Sequence, residues 1–243
     1  MRLAISNIAW DSDSDKTVYE LMKKYGYTGL EIAPTRIFES NPYEGLEKAR
    51  KWSGELKEVY GFEIPSMQSI WFGRTENLFE DETQMKILSG YTKKAIDFAE
   101  AVNCKNLVFG SPKNRALPEN PSKELILSGI RFFKELGDYA FDRNTVVAME
   151  ANPAIYNTNY INDTKSALQL IRQVASKGFL LNLDIGAMLE NKEQTDLLEG
   201  NIEYIPKPEL FYSRYLLLFR EFQQTSFLFC RSPLLYKAVH RFA

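Results

Sequence analysis

Short apolar runs alternate with longer amphipathic segments through the first two hundred residues, and this alternation limits the possible folds more than any other feature of the chain. Residues 3–8, 29–32, 62–68, 106–109, 146–150 and 180–184 read as strands. Between them, residues 16–25, 46–60, 83–102, 122–143 and 163–175 carry apolar side chains at helical spacing. Leu46, Ala49, Trp52, Leu56 and Val59 share one face of the second of these helices, and Ile87, Tyr91, Ala95, Phe98 and Ala99 one face of the third. Gly26 and Gly61 are placed to end helices, Ser122 and either Asp163 or Thr164 to start them. Regular βα alternation implies a parallel sheet with right-handed crossovers. An open doubly wound sheet and a barrel both satisfy the pattern. No Gly-x-Gly-x-x-Gly or P-loop pattern follows any strand, so the nucleotide-binding open sheets lose support and the barrel is favoured.

Two of the apolar runs end on an acid, Glu150 after Val146-Val147-Ala148-Met149 and Asp184 after Leu180-Leu181-Asn182-Leu183. In an α/β barrel the carboxyl ends of the strands carry the chemistry. Two carboxylates from neighbouring strands make half of a divalent-metal site. A formal charge of −2 and a pI of about 5.7 argue against a nucleic-acid binder. Cys104 and Cys230 are too few for a disulfide framework and suit a reducing cytoplasm. The chain opens directly on a strand pattern, reads as having no signal peptide, and has no apolar run of membrane-spanning length.

The composition changes after Ile205. Glycine does not occur beyond Gly200, and six phenylalanines fall between Phe211 and Phe242. Acids thin to Glu209 and Glu221 against Lys207, Arg214, Arg220, Arg231, Lys237 and Arg241. Residues 1–205 are therefore read as one barrel domain and 206–243 as an atypical tail. A change of reading frame or truncation is the first explanation. A basic amphipathic segment or a cover for the sheet edge are the alternatives. The expected architecture is an α/β, TIM-type (β/α)8 barrel that is incomplete, with about six βα units. Its open edges would favour self-association.

Met1-Arg2-Leu3-Ala4-Ile5-Ser6-Asn7, Gly26-Tyr27-Thr28-Gly29-Leu30-Glu31, Met149-Glu150-Ala151-Asn152-Pro153 and Asn182-Leu183-Asp184-Ile185-Gly186 resemble the corresponding segments of the xylose-isomerase-like barrel superfamily, in its sugar phosphate isomerase/epimerase branch. The resemblance implies a metal held by Glu, Asp, His and Glu from the last four strands. Glu150 and Asp184 match the first two positions, though Asp184 could instead simply cap the next turn through Gly186. The implied histidine would fall about 25 residues after Asp184, where the chain reads Leu210-Phe211-Tyr212, and the single histidine is His240. Related ketose epimerases carry a histidine three residues after the Asp, and here that residue is Ala187. The implied activity is isomerisation or epimerisation of a sugar or sugar phosphate by proton transfer next to a carbonyl, through an enediolate, and it is expected to be impaired in this chain. Glu150 would be both metal ligand and base. Mn²⁺ or Mg²⁺ suits the oxygen ligands better than Zn²⁺ and would bind weakly. The superfamily also holds multi-zinc endonucleases, whose many histidines one histidine cannot supply. The non-enzymatic alternative is a truncated barrel that binds a ligand or partner.

Further candidates lie in the loops after the strands. Trp10 and Trp71 could wall a sugar face or pack in a lid. Glu31 could touch substrate or brace Arg36. Lys113 and Arg115 could hold a phosphate or sit in a solvated loop. Asn152, Asn157 and Asn159 could line the pocket or simply turn the chain. His240 is weighed last.

Overall fold

The computed structural model describes residues 3–206. The readings placed on residues 207–243, including the tail, His240 and Cys230, lie outside the described residues. In chain order the elements are β1 (Ala4–Ser6), α1 (Asp15–Lys24), β2 (Gly29–Glu31), α2 (Pro34–Ile37), α3 (Leu46–Tyr60), α4 (Glu82–Ala101), β3 (Asn106–Phe109), α5 (Lys123–Phe141), β4 (Val146–Glu150), α6 (Thr164–Val174), β5 (Phe179–Asn182) and α7 (Ile185–Glu190).

Local chemistry sets the helix ends. Gly61 terminates α3 at φ 75°, in the left-handed region that a side chain resists. The Ser122 hydroxyl accepts from Leu125 N at 3.1 Å and starts α5. Asp163 accepts from Ser166 N at 2.7 Å, and the Ser166 hydroxyl receives the Asp163 N–H, which makes a reciprocal cap for α6. Asp81 caps α4 through Gln84 N at 2.8 Å.

The strands are all parallel. β1 pairs with β2, and β3–β4–β5 form a second ladder. The run at 62–68, expected as a full strand, makes only the isolated bridges Gly29↔Glu63, Ile32↔Met67 and Met67↔Leu107. Pro65 sits between these bridges with no N–H to donate, so a continuous ladder cannot form there. The bridges still join the two ladders into one arc, a partial barrel. Among the described residues its ends, β1 and β5, are not hydrogen-bonded to each other.

The two faces of the arc differ. Leu30, Leu107, Phe109, Val147, Met149, Phe179 and Leu181 are no more than 1 % exposed and form the core beneath the helices. Edge-on or stacked rings run through that core, from Trp71 to Phe109 at 4.6 Å, to Phe133 at 5.2 Å and on to Phe179 at 5.0 Å. The inner face carries small or polar residues. Ala4, Ser6, Gly29, Glu31, Ser66 and Asn182 line a cavity of about 1020 Å³. Packed barrels fill this space with branched side chains; among the described residues here it stays open.

α5 lies against the loop before β5 with no room for a side chain. A Cβ added at Gly178 would stand 2.0 Å from the Gly137 carbonyl oxygen. Gly178→Ala is expected to cost about 1–3 kcal/mol, the usual range for overpacking a tight site. Urea unfolding checks this, and an unchanged midpoint would contradict the close approach.

Candidate functional site

The inner face turns polar at the carboxyl ends of the strands. Ser6 and Glu31 are register partners at the ends of β1 and β2, and Glu150 and Asn182 at the ends of β4 and β5. Aligned parallel partners project the same way, so these side chains meet over the lumen. The Asn182 amide donates to Glu150 Oε1 at 2.9 Å. Gly110, just after β3, leaves room for this acid, since a Cβ there would lie 2.9 Å from Glu150 Oε2.

Asn152 and Arg115 hold the other side of Glu150. The Asn152 Nδ2 donates to Glu150 Oε2 at 3.2 Å. Arg115 is fully buried and donates to Asn152 Oδ1 at 2.6 Å and to the Glu150 carbonyl at 3.0 Å. An amide whose oxygen is held by a guanidinium must turn its nitrogen outward, and here it turns toward the carboxylate. Burial lowers the Arg115 pKa to about 10, while the negative charge of Glu150 works the other way. The Glu150 carboxyl is pushed up to about 7. Burial is the largest cause, the charge of Asp184 the next, and the Asn152 hydrogen bond partly opposes them.

Asp184 does not end a strand. β5 stops at Asn182, and Asp184 is the N-cap of α7, its Oδ1 accepting from Gly186 N at 2.7 Å. That bond turns the chain out of the ladder, and the Asp184 charge is near enough to Glu150 to raise that acid's pKa. Ala187 is buried in α7. Tyr156, which the sequence reading missed, also responds to both acids: burial raises its pKa most, and the charges of Asp184 and Glu150 add to it.

The remaining candidates separate. Glu31 belongs to the layer, but its partner is not Arg36. Ser66 Oγ donates to Glu31 Oε2 at 2.6 Å and Gln68 Nε2 to Glu31 Oε1 at 2.6 Å, with Gln68 also reaching Ser6 Oγ at 2.8 Å. Arg36 instead pairs with Asp15 at 2.6 Å and lies over the Trp10 ring at 5.9 Å. Trp10 itself donates to Asp15 at 2.7 Å, so that ion pair occupies its polar edge. Trp71 is a core residue, 2 % exposed, with its Nε1 donating to Thr92 Oγ1 at 2.7 Å. Its large apolar ring is worth more under the helices than at a wet mouth. Lys113 is exposed, while Arg115, two residues on, points inward. Asn157 is exposed in a left-handed turn, and Asn159 clasps the Leu117 backbone at 2.8 Å in both directions. The sequence reading missed Ser6, Ser66, Gln68 and Asn182. Their signal was alternation: Ser66-Met67-Gln68 and Leu180-Leu181-Asn182 place polar residues on the inner side of otherwise apolar strands.

Among the described residues no three His, Cys, Asp or Glu side chains come together to hold an ion. Glu150 and Asp184 are two hard carboxylates whose charges repel, a repulsion that a cation between them would relieve. Mg²⁺ commonly binds through one or two carboxylates and keeps several waters.

Comparison with known proteins agrees with this architecture. The family model for the xylose isomerase-like TIM barrel matches residues 19–214. No curated protein matches the chain. A D-psicose 3-epimerase crystallised with D-fructose superposes with a TM-score of 0.65 at 15 % identity, over 82 % of this chain and 69 % of that one. A sugar phosphate isomerase/epimerase from Parabacteroides distasonis gives 0.60 at 12 % identity, over 91 % and 82 %. The IOLI protein with a bound zinc atom gives 0.63 at 16 % identity, over 84 % and 70 %. At these identities the likeness is one of fold.

The raised carboxyl of Glu150 has a measurable consequence. From its ordinary 4.5 to about 7, the folded chain holds a proton that the unfolded chain has released. Stability from this group is therefore present at low pH and falls as pH rises through that window. In metal-free protein, Glu150→Gln should gain on the wild type between pH 5 and pH 8, by about 3 kcal/mol at most. Urea unfolding at both pH values checks it, and a constant difference would contradict the burial of this acid.

Proposed function

This chain belongs to the xylose isomerase-like TIM barrel family, and we propose that it transfers a proton at a carbon next to the carbonyl of a small sugar. The observation that carries the reading is the environment of Glu150. This acid sits at the carboxyl end of β4, each oxygen is steadied by an amide, and one of those amides, Asn182, lines a cavity large enough for a monosaccharide.

A carboxyl group poised near neutrality is suited to take and return a proton. Glu150 accepts the proton from the carbon, and the Asn182 and Asn152 amides keep its oxygens directed at the lumen through the transfer. Arg115 fixes the Asn152 amide and balances the buried charge from behind. Glu150 and Asp184 would hold a divalent cation, Mg²⁺ or Mn²⁺, which supplies polarisation of the carbonyl and hydroxyl oxygens. Tyr156 feels the charge of both acids.

The described residues supply two of the four ligands that the resemblance implies, and Ala187 stands where related epimerases place a histidine. Net conversion is therefore expected to be slow, while the first half of the reaction, loss of the proton to Glu150, needs only residues already in place. Incubation of the full chain with Mn²⁺ and ketohexoses in D2O should wash deuterium into the carbon next to the carbonyl. Glu150→Gln should slow that exchange by about 10²–10⁴-fold. Exchange that is unchanged in this variant would refute the proposal.

A second substitution tests the support. Arg115→Met keeps the volume and removes the donor to Asn152. It should reduce exchange by about tenfold or more through misorientation of Glu150 and lower the stability of the fold, because Asn152 and the Glu150 carbonyl lose a charged donor. A variant with wild-type exchange would contradict the role given to Arg115.

A further inference from the structure

Opposite Glu150, the wall formed by Ser6, Glu31, Ser66 and Gln68 has no part in the proton transfer, yet it is built with care. Glu31 accepts one short hydrogen bond on each oxygen, from Ser66 and from Gln68, both at 2.6 Å. Both hydrogens of the Gln68 amide are engaged, one on Glu31 and one on Ser6 Oγ at 2.8 Å. The network fixes Glu31 in place but does not exhaust it. A carboxylate offers about four acceptor positions, and two are filled. The Ser6 hydroxyl, which accepts from Gln68, keeps its own proton to donate. Ser6, Glu31 and Ser66 line the same cavity as Asn182, the partner of Glu150. The wall and Asn182, the donor to the proton-transfer acid, thus flank one space.

We propose that this wall binds vicinal hydroxyl groups of the substrate, and that the substrate is an unphosphorylated ketose. The inference rests on the sugar reading given above and narrows it. Two adjacent hydroxyls can donate to the free lone pairs of Glu31 while one accepts from Ser6, a charge-assisted arrangement stronger than neutral pairs. A phosphate group meets the opposite conditions. It carries close to two negative charges at neutral pH, and Glu31, Glu150 and Asp184 all lie around the mouth. The nearby guanidiniums are committed, Arg36 to Asp15 and Arg115 to Asn152. Lys105 and Lys177 line the cavity at its other end, beside the amino-terminal ends of β3 and β5, and Arg50 and Lys57 of α3, paired with Glu47 and Glu63, line it as well. Strands of four residues at about 3.3 Å each separate that end from Glu150, so a phosphate held there would draw the sugar carbons away from the base.

The test uses the full chain with MnCl2, D-fructose and D-fructose 6-phosphate, followed by calorimetry and thermal unfolding. D-Fructose should bind and raise Tm, and the phosphate ester should bind at least tenfold more weakly. Glu31→Gln should weaken D-fructose by about tenfold or more while keeping the Tm rise produced by Mn²⁺ alone, which depends on Glu150 and Asp184. A merely structural Glu31 would lower Tm without changing the affinity. Ser66→Ala, which leaves every charge in place, should weaken D-fructose by about three- to tenfold and serves if Glu31→Gln does not fold. Tighter binding of the phosphate ester, unchanged D-fructose affinity in the variants, or no binding of D-fructose would each overturn the proposal. Glu150-dependent deuterium exchange into the phosphate ester, without exchange into D-fructose, would overturn it while leaving the proton-transfer reading intact.

Discussion

The guanidinium of Arg115 is the contact on which the site depends. It is fully buried, and its donors reach the Glu150 carbonyl and the Asn152 side-chain oxygen. A cation in that position costs desolvation energy, seen in its lowered pKa, and leaving it unpaired would cost several kcal/mol more. The nearby negative charge of Glu150 offsets part of that cost. In return the arginine dictates which way Asn152 faces, and so which donor meets the acid. The loop after β3, the end of β4 and the start of the following loop are locked together by one side chain. Gly110 completes the arrangement by leaving room for the Glu150 carboxylate.

This support works because the two faces of the arc are specialised. Large aromatic and aliphatic side chains crowd the helix side, where burial of apolar surface stabilises the fold. The inner side carries glycine, alanine, serine and amides beside Val146 and Leu180, and among the described residues it leaves a cavity. Polar groups at the strand ends are satisfied by one another across neighbouring strands, Asn182 to Glu150 and Gln68 to both Glu31 and Ser6. The barrel scaffold thus provides an oriented polar layer without long loops.

Much of this was legible in the sequence, and the failures have physical reasons. Helical periodicity and caps located α3 at residues 46–60 and the starts of α5 and α6, because these signals are local. The position of Glu150 was readable because an acid closing an apolar run is costly unless it has a purpose. The run at 62–68 was over-read as a strand, since composition outweighed the missing N–H of Pro65. Asp184 was placed at a strand end with a cap through Gly186 as its alternative, two readings that look alike in one dimension, and the structure carries the cap. Trp71 was read as a mouth residue from its position after a strand, but its burial depends on α4 and α5 packing over it. Arg115 carried no local sign of burial: its partners Glu150 and Asn152 lie 35 and 37 residues away.

The central claim is that the layer at the carboxyl ends of the strands is a cation-assisted proton-transfer site centred on Glu150. A crystal of the full chain soaked in MnCl2, with data collected at the manganese absorption edge, addresses it directly. The account predicts one anomalous peak within about 2.0–2.6 Å of carboxylate oxygens from both Glu150 and Asp184. That peak should be absent from Asp184→Asn crystals soaked in the same way. A peak that avoids both acids, or two carboxyl groups too far apart to share one ion, would contradict it.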